Sequence, residues 1–232
     1  MGLSEIDQRI HLIFLLNISK MLRKMGLISI TDYFPLYKIG IENGTLLHFG
    51  KLSYMTFISI MLISNWENQF DFSRFLIQNY ISELSEDTQL DCETWAYAHM
   101  AYSMKDFKRS LNLLDEHAFQ IPYFNIISRG LRLQIYFEDF IIKPNENMKF
   151  ILGYCKSNIN WIRVQKTMSR RSRESFIRFT QVVQKMIKEF AEPDFEEERF
   201  LKILENINNI QGLDWLRAKR DLIIKMKKIK PR

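Results

Sequence analysis

The chain contains little glycine and little proline for its length. Its 232 residues include only 8 glycines and 5 prolines. An all-β protein of this size would need more of both, because its many tight turns depend on them. The scarcity therefore argues against an all-β fold and favours a chain built from a few long elements.

Cysteine is scarce as well, and long apolar runs are missing. With only Cys92 and Cys155 present, no disulfide framework can be drawn, and we expect two free, buried thiols in a reducing compartment. The most apolar stretch, residues 10–18, is far too short to cross a bilayer. Asp7 and Arg9 interrupt any apolar signal-peptide core. We therefore expect a cytoplasmic protein without a membrane segment.

The sequence also lacks the signatures of catalytic and metal sites. No two of its four histidines have the HExxH or i,i+4 spacing of metal ligands, and neither cysteine belongs to a CxxC pair. Glycine-rich phosphate loops and a GxSxG elbow are absent too. The histidines are His11, His48, His99 and His117. We therefore predict no catalytic, metal-binding or cofactor-binding residues, no cofactor, and a protein that is not an enzyme.

Helical periodicity is the dominant pattern that is present. Apolar residues make up 47% of the chain and include 18 phenylalanines, which in helical proteins fill the gaps between packed helices. We predict an all-α fold with at least nine helices and no sheet. Ser4 with Asp7 three residues later is typical of a helix start, and Asp32 and Asp194 are predicted to cap later helices.

The first predicted helix carries an unusually wide apolar arc. It includes Ile6, Ile10, Phe14 and Ile18 and ends near Gly26. Such an arc is wider than the stripe that faces a single core. We expect this helix either to fold back onto the second helix or to mediate self-association, so that a homodimer is one possible assembly.

A short connection marks the clearest pair of helices, within residues 91–122. The two helices are predicted over about 92–104 and 107–118, with only two residues between them. So short a connection favours an antiparallel hairpin. The polar stretch 85–88 is predicted to separate this pair from the preceding helix, and a proline at position 122 to end the unit.

The residues inside this hairpin follow a repeat pattern. The small residues Ala98 and Ser110 stand where two helices are expected to approach closely. The Phe-Asp-Phe turn before Ser73 also has the same phase as the turn before Ser110. The distance from Ser73 to Ser110 gives a repeat of 37 residues. This spacing resembles the tetratricopeptide repeat, or TPR, whose period is about 34 residues. The positions expected to be buried where hairpins meet are Ala98, Ser110, Leu111, Leu114 and Leu131.

The resemblance departs from the TPR pattern at two positions and extends beyond the hairpin. His117 stands where the family has a small residue, and Ala101 where it has a tyrosine. Over nearly its whole length the chain is similar to the C-terminal part of long, uncharacterised bacterial TPR-like proteins, on the order and spacing of segments such as 96–98, 131–137 and 214–216. This resemblance implies stacked antiparallel helical hairpins in one TPR-like α-solenoid domain over residues 1–232, and a scaffold-like role.

Positive charge is concentrated in the C-terminal third. Residues 161–232 hold 18 Lys and Arg against 10 Asp and Glu, whereas the first 160 residues hold 15 against 17. The basic helices of residues 170–232 point weakly to an anionic partner. Within them, Arg170, Arg171 and Arg173 are the candidate contacts for an anion such as a phosphate. The alternative is a solvated helix start, with Arg173 and Glu174 paired locally.

These patterns leave two functions open. The first is a non-catalytic scaffold whose stacked hairpins bind a protein or peptide. The alternative is a helical repeat protein that binds nucleic acid through its basic C-terminal third. A salt titration against generic RNA and DNA would separate the two.

Overall fold

The structure is helical throughout the part of the chain that it describes. The computed structural model describes residues 4–25, 27–29, 31–205, 207 and 210–229. Within these ranges it contains eleven helices, and the only bridge between extended residues is an isolated one that joins His48 to Lys51. The predictions of an all-α fold, of at least nine helices and of no sheet are confirmed for these ranges.

The chain divides into two compact units, Met1–Phe124 and Asn125–Arg232. The prediction of one continuous domain over residues 1–232 stays a prediction. The first unit contains α1 (Glu5–Lys24), α2 (Phe34–Glu42), α3 (Tyr54–Trp66), α4 (Phe70–Tyr80), α5 (Glu86–Ser103) and α6 (Phe107–Glu116). The second unit contains most of α7 (Pro122–Ile142), together with α8 (Pro144–Arg163), α9 (Arg170–Ala191), α10 (Glu197–Lys202) and α11 (Leu213–Ile229).

Polar side chains cap several of these helices at their N-termini. The Ser4 hydroxyl accepts a hydrogen bond from the backbone N–H of Asp7 at 3.2 Å, as the sequence predicts. Asp106 caps α6 and Ser169 caps α9 in the same way, each by accepting the N–H three residues later. Each cap satisfies one of the backbone donors that a helix start leaves without an intrahelical partner.

Two predicted caps are wrong. Tyr33, not Asp32, precedes α2, and the Asp32 carboxylate instead accepts the N–H of Ser29 at 2.6 Å. Glu196, not Asp194, precedes α10, and it makes no side-chain cap. In both places the helix starts two or three residues later than the aspartate, so that the carboxylate is out of position for its first turn.

Helix boundaries differ from the predictions at three further places. α5 begins at Glu86, so residues 85–88 are the cap and first turn of that helix and not a separator; the acidic residues there lie where the helix dipole favours anions. Pro122 begins α7, because a first-turn proline has no N–H that the helix needs. The predicted end of the first helix at Gly26 lies outside the described residues.

The turns α3–α4 and α5–α6 have the same backbone geometry. Asn68 and Lys105, which stand 37 residues apart, both have a positive φ, of 57° and 67°. In each turn this residue donates its N–H to the carbonyl three residues earlier, and the next residue donates to the carbonyl five residues earlier. The two turns therefore end their helices with the same left-handed cap, at the offset that the sequence predicts from Ser73 and Ser110.

The small polar residues at these repeat positions are buried and hydrogen-bonded. The Ser110 hydroxyl donates to the Ala98 carbonyl at 2.7 Å, which joins α6 to α5. The Ser73 hydroxyl bonds the Ser64 hydroxyl at 2.7 Å and donates to the Asn65 side chain at 2.8 Å, which joins α4 to α3. Four of the five positions predicted to be buried are buried, namely Ala98, Ser110, Leu114 and Leu131. The fifth, Leu111, is only partly buried.

Large apolar side chains form a core in each unit. In the first unit the fully buried residues include Tyr37, Phe57, Met61, Leu76 and Leu84. In the second unit the rings of Phe137 and Trp215 meet edge to face at 5.3 Å, and α7 and α9 meet through Phe140 and Phe190 at 5.6 Å. No helix in the described ranges combines the length and the apolar character that crossing a bilayer requires.

Candidate functional site

Both cysteines are buried in protonated form. Burial raises the pKa of the Cys92 thiol to about 12, and the neighbouring Asp91 carboxylate raises it further. Burial likewise raises the pKa of the Cys155 thiol to about 12. The thiolate is the reactive form of cysteine, and both thiols are predominantly protonated near neutral pH.

His99 belongs to a polar network inside the first unit. The Asn65 amide donates to Nδ1 of His99 at 2.9 Å, and the imidazole stacks on Trp95 at 5.0 Å between ring centres. Burial lowers the pKa of His99 to about 4, so its ring is neutral at pH 7 and accepts the amide hydrogen at Nδ1. The network links α3, α4 and α5, because Asn65 also accepts from Ser73.

Asp91 and His117 pair at one of the two positions where the sequence departs from the predicted TPR pattern. The buried Asp91 carboxylate accepts the backbone N–H groups of Gln120 and Ile121 at 3.0 and 2.8 Å, and it contacts Nε2 of His117 at 2.7 Å. These bonds fasten the segment after α6 to α5. The large residue at position 117 is therefore accommodated by pairing with a buried carboxylate.

Among the residues that the structure describes, no cluster of three His, Cys, Asp or Glu side chains is arranged to hold a metal ion.

The three predicted anion contacts, Arg170, Arg171 and Arg173, differ in their surroundings. Arg170 pairs with Glu174 at 2.8 Å on the exposed side of α9. Arg173 is partly buried and donates to the carbonyls of Gln165 and Met168 at 2.8 and 3.1 Å, so its guanidinium ties the start of α9 to the segment before it. Arg171 is exposed and has no ion-pair partner within the described ranges. The structure therefore does not present the three guanidinium groups as one cluster.

A longer cationic face on α9 was missed by the sequence analysis. Arg171, Arg178, Lys185 and Lys188 are all exposed and, at 100° per residue, lie on one side of the helix. Over the described ranges none of the four forms an ion pair; Glu174, on the same side of the helix, pairs with Arg170 and also attracts Arg178. The face spans about 25 Å at 1.5 Å per residue. The spacing of 7, 7 and 3 residues between the four cations could have indicated from the sequence that they share one side of the helix. The sequence analysis considered only the three nearly consecutive arginines at the helix start.

A shallow groove borders the cationic face. It is lined by Arg178, Lys185 and Lys188, with Gln181 and Gln184 between them and Val182 and Ile207 on its apolar side. Cations beside amide side chains and an apolar edge can contact an anionic chain by charge, by hydrogen bonds and by packing. In chemical terms, this surface can bind anions.

An exposed apolar surface lies on α1 in the first unit. One side of this helix buries Leu12 and Leu16. The other side exposes Ile6, Ile10 and Phe14, which recur every four residues and so follow one face of the helix. We call this side the outer face of α1. α1 does pack on α2, as one sequence alternative expects, yet this packing leaves the outer face exposed.

Comparisons with known proteins give no match. No protein-family model, no curated protein and no solved structure matches the chain. The cationic face and the outer face of α1 therefore inherit no role from a relative. The resemblance to TPR proteins stays a prediction, and the functional assignment depends on the chemistry of these two surfaces.

Proposed function

We propose that this protein is a non-catalytic, TPR-like interaction module that binds a protein or peptide partner. One observation carries the proposal: the outer face of α1 exposes Ile6, Ile10 and Phe14, which water-soluble proteins rarely leave together on one helix face without a use for them. In the same unit, burial keeps the Cys92 thiol protonated and the His99 ring neutral near pH 7, because it raises the pKa of the first and lowers the pKa of the second. A binding role is the function that such a surface supports best.

The TPR-like part of the proposal is an arrangement of stacked antiparallel hairpins. It is supported by the two matching turns at an offset of 37 residues and by the order of helix packing. In the first unit α3 packs on α4 within one pair and α5 on α6 within the next, and α3 also packs on α5. Stacked repeats produce both kinds of packing: between the two helices of each pair, and between the first helices of neighbouring pairs.

We further propose a cytoplasmic location, which two free thiols favour.

Site-specific photo-crosslinking in cells tests the interaction role. A photoreactive phenylalanine analogue at Phe14 should give discrete protein adducts, since its ring is already exposed. The same analogue at Asp87, an exposed polar position on α5, is the matched control and should give none. Absence of position-specific adducts at Phe14 would contradict the proposal.

A second candidate function, nucleic-acid binding, is favoured by the cationic face of α9. Four exposed cations that neutralise up to four phosphates would give a slope of log K against log salt of about −3 to −4. Charge reversal by Arg178→Glu with Lys185→Glu should make this slope shallower by about 2 and weaken binding of RNA and DNA of any sequence. Binding that is absent at low salt would exclude this function.

A matched control for charge reversal lies on α8. Lys149 and Lys156 are exposed, seven residues apart and in the same unit, so Lys149→Glu with Lys156→Glu changes the net charge by the same amount. If both double variants weaken binding equally, the attraction arises from net charge and not from the cationic face.

A further inference from the structure

The inner side of α1 is already occupied. Leu12 and Leu16 are buried, and α1 approaches α2 closely at Gly40, where an added Cβ would come within 2.5 Å of a Leu12 methyl group. The Arg9 guanidinium donates to the Leu47 carbonyl at 2.8 Å and fixes the helix further. α1 is therefore held in place on its inner side, and its outer face is a defined surface.

The outer face carries an apolar strip, which the exposed Asn17 interrupts between Phe14 and Met21. Its residues lie within about 100° of one another around the helix axis and are between 41% and 72% exposed. They are Ile6, Ile10, Ile13, Phe14 and Met21. At about 200 Å² for a fully exposed large apolar residue, they offer about 600 Å² of apolar surface. This value lies at the upper end of the patches, about 300–600 Å², that monomers expose.

The area of the strip fits a dimer of standard size. A stable interface buries about 800 Å² on each partner, with an apolar centre and a polar rim. The strip would supply about three quarters of that area, and its polar borders would supply the rest. A second copy of the same helix offers an apolar strip of the same length, about 23 Å from Ile6 to Met21.

The helix dipoles favour one direction of pairing. Lys20 and Arg23, near the C-terminal end of α1, are directed at the Tyr37 ring and the Tyr33 hydroxyl of the same chain, so they do not select the direction. Antiparallel pairing sets the two helix dipoles against each other, so that the positive end of each helix lies beside the negative end of the other. Parallel pairing would bring like ends of the two dipoles together.

We propose that two copies of this chain associate through the outer faces of their α1 helices, in antiparallel orientation, across a two-fold axis near Ile13 and Phe14. The inference rests on the proposed function and names a partner for it. The two-fold axis makes the contact self-complementary and closed. It places Ile6 of one copy beside Met21 of the partner subunit.

Sedimentation of the purified chain tests the association. The protein concentration is varied over about 1 to 100 µM, a range that brackets a micromolar Kd. The wild type should show a mass that rises from one chain to two. Phe14→Glu should raise the Kd about 30-fold or more, as expected for an apolar residue at the centre of an interface. The control Leu90→Glu changes an equally exposed leucine on α5 and should leave the Kd unchanged within about threefold. A wild type that stays monomeric, or equal effects of both variants, would overturn the inference.

Cysteine crosslinking tests the orientation and does not depend on a charged variant that must fold. Chains with Ile6→Cys and chains with Met21→Cys, differently tagged, should form a mixed disulfide-linked dimer on oxidation, whereas each chain alone should not. The native thiols of Cys92 and Cys155 are buried and do not interfere. Crosslinking of each chain with itself would overturn the antiparallel arrangement. Because only purified chain is present, failure here is distinct from failure of the interaction role, which adducts to other proteins at Phe14 would still support.

Discussion

Replacing Asp91 by alanine should destabilise the first unit more than any change on its surface. The carboxylate is buried on α5 and accepts two backbone N–H groups, of Gln120 and Ile121, besides contacting His117. These partners stand 26 to 30 residues further along the chain. Asp91→Ala removes the acceptor and leaves the donors in place, which is the costly way to break a hydrogen bond.

The magnitude follows from the number of donors that lose their partner. Each buried donor left unsatisfied costs about 1–3 kcal/mol. Gln120 is exposed and Ile121 only partly buried, so water can replace part of the loss, and we expect the free energy of unfolding to fall by about 3 kcal/mol in total. Asp91→Asn keeps one acceptor oxygen but no charge, and it should cost about 1–2 kcal/mol.

Urea unfolding followed by far-ultraviolet circular dichroism measures these losses. The control Asp87→Ala removes an exposed carboxylate from the first turn of the same helix, where the helix dipole contributes about 0.3–1 kcal/mol. If Asp91→Ala costs no more than Asp87→Ala, the carboxylate does not hold the segment after α6, and the structural explanation of His117 fails. A changed dependence of the unfolding free energy on urea concentration would instead show that the variant has altered the compactness of the folded or unfolded chain, or that it no longer unfolds in one step.

Two further predictions concern pH and packing. The pKa of His99 is about 4 in the folded chain, against an ordinary value of 6.5, so the unfolded chain binds the proton more readily. The free energy of unfolding should therefore fall by up to about 3 kcal/mol as the pH drops from 6.5 to 4. A His99→Gln variant whose stability depends equally steeply on pH would refute this. Gly212→Ala should cost about 2–4 kcal/mol in thermal or urea unfolding, since φ is +68° and a Cβ would lie 2.9 Å from the Phe179 ring. Gly153→Ala, in open space on α8, should instead stabilise by about 0.5–1 kcal/mol, and a similar result at both glycines would contradict the packing argument.

The sequence alone determined the helical class and much of the repeat pattern. Few glycines and prolines with dominant helical periodicity predicted an all-α chain, because side-chain spacing reports secondary structure directly. The 37-residue offset between Ser73 and Ser110 reappears in the left-handed turns at Asn68 and Lys105. The cap at Ser4 was also predictable, since it depends only on residues within one helical turn.

Helix starts were less predictable where a polar side chain had more than one nearby partner. Asp32 bonds back to Ser29 and leaves α2 uncapped. The acidic residues after Ser85 looked like a linker, yet they form the first turn of α5. In such places local sequence is compatible with two conformations, and packing selects between them.

Only the tertiary structure decided which charged and apolar side chains are available at the surface. Arg173 and Arg171 are alike in sequence, but the first is engaged by two carbonyls and the second is exposed. The apolar arc of α1 was readable from its spacing, whereas the exposure of Phe14 was not. Hydrogen bonds between residues far apart in sequence, and the number of neighbours that a helix acquires, follow from packing of the folded chain and not from the period of its residues.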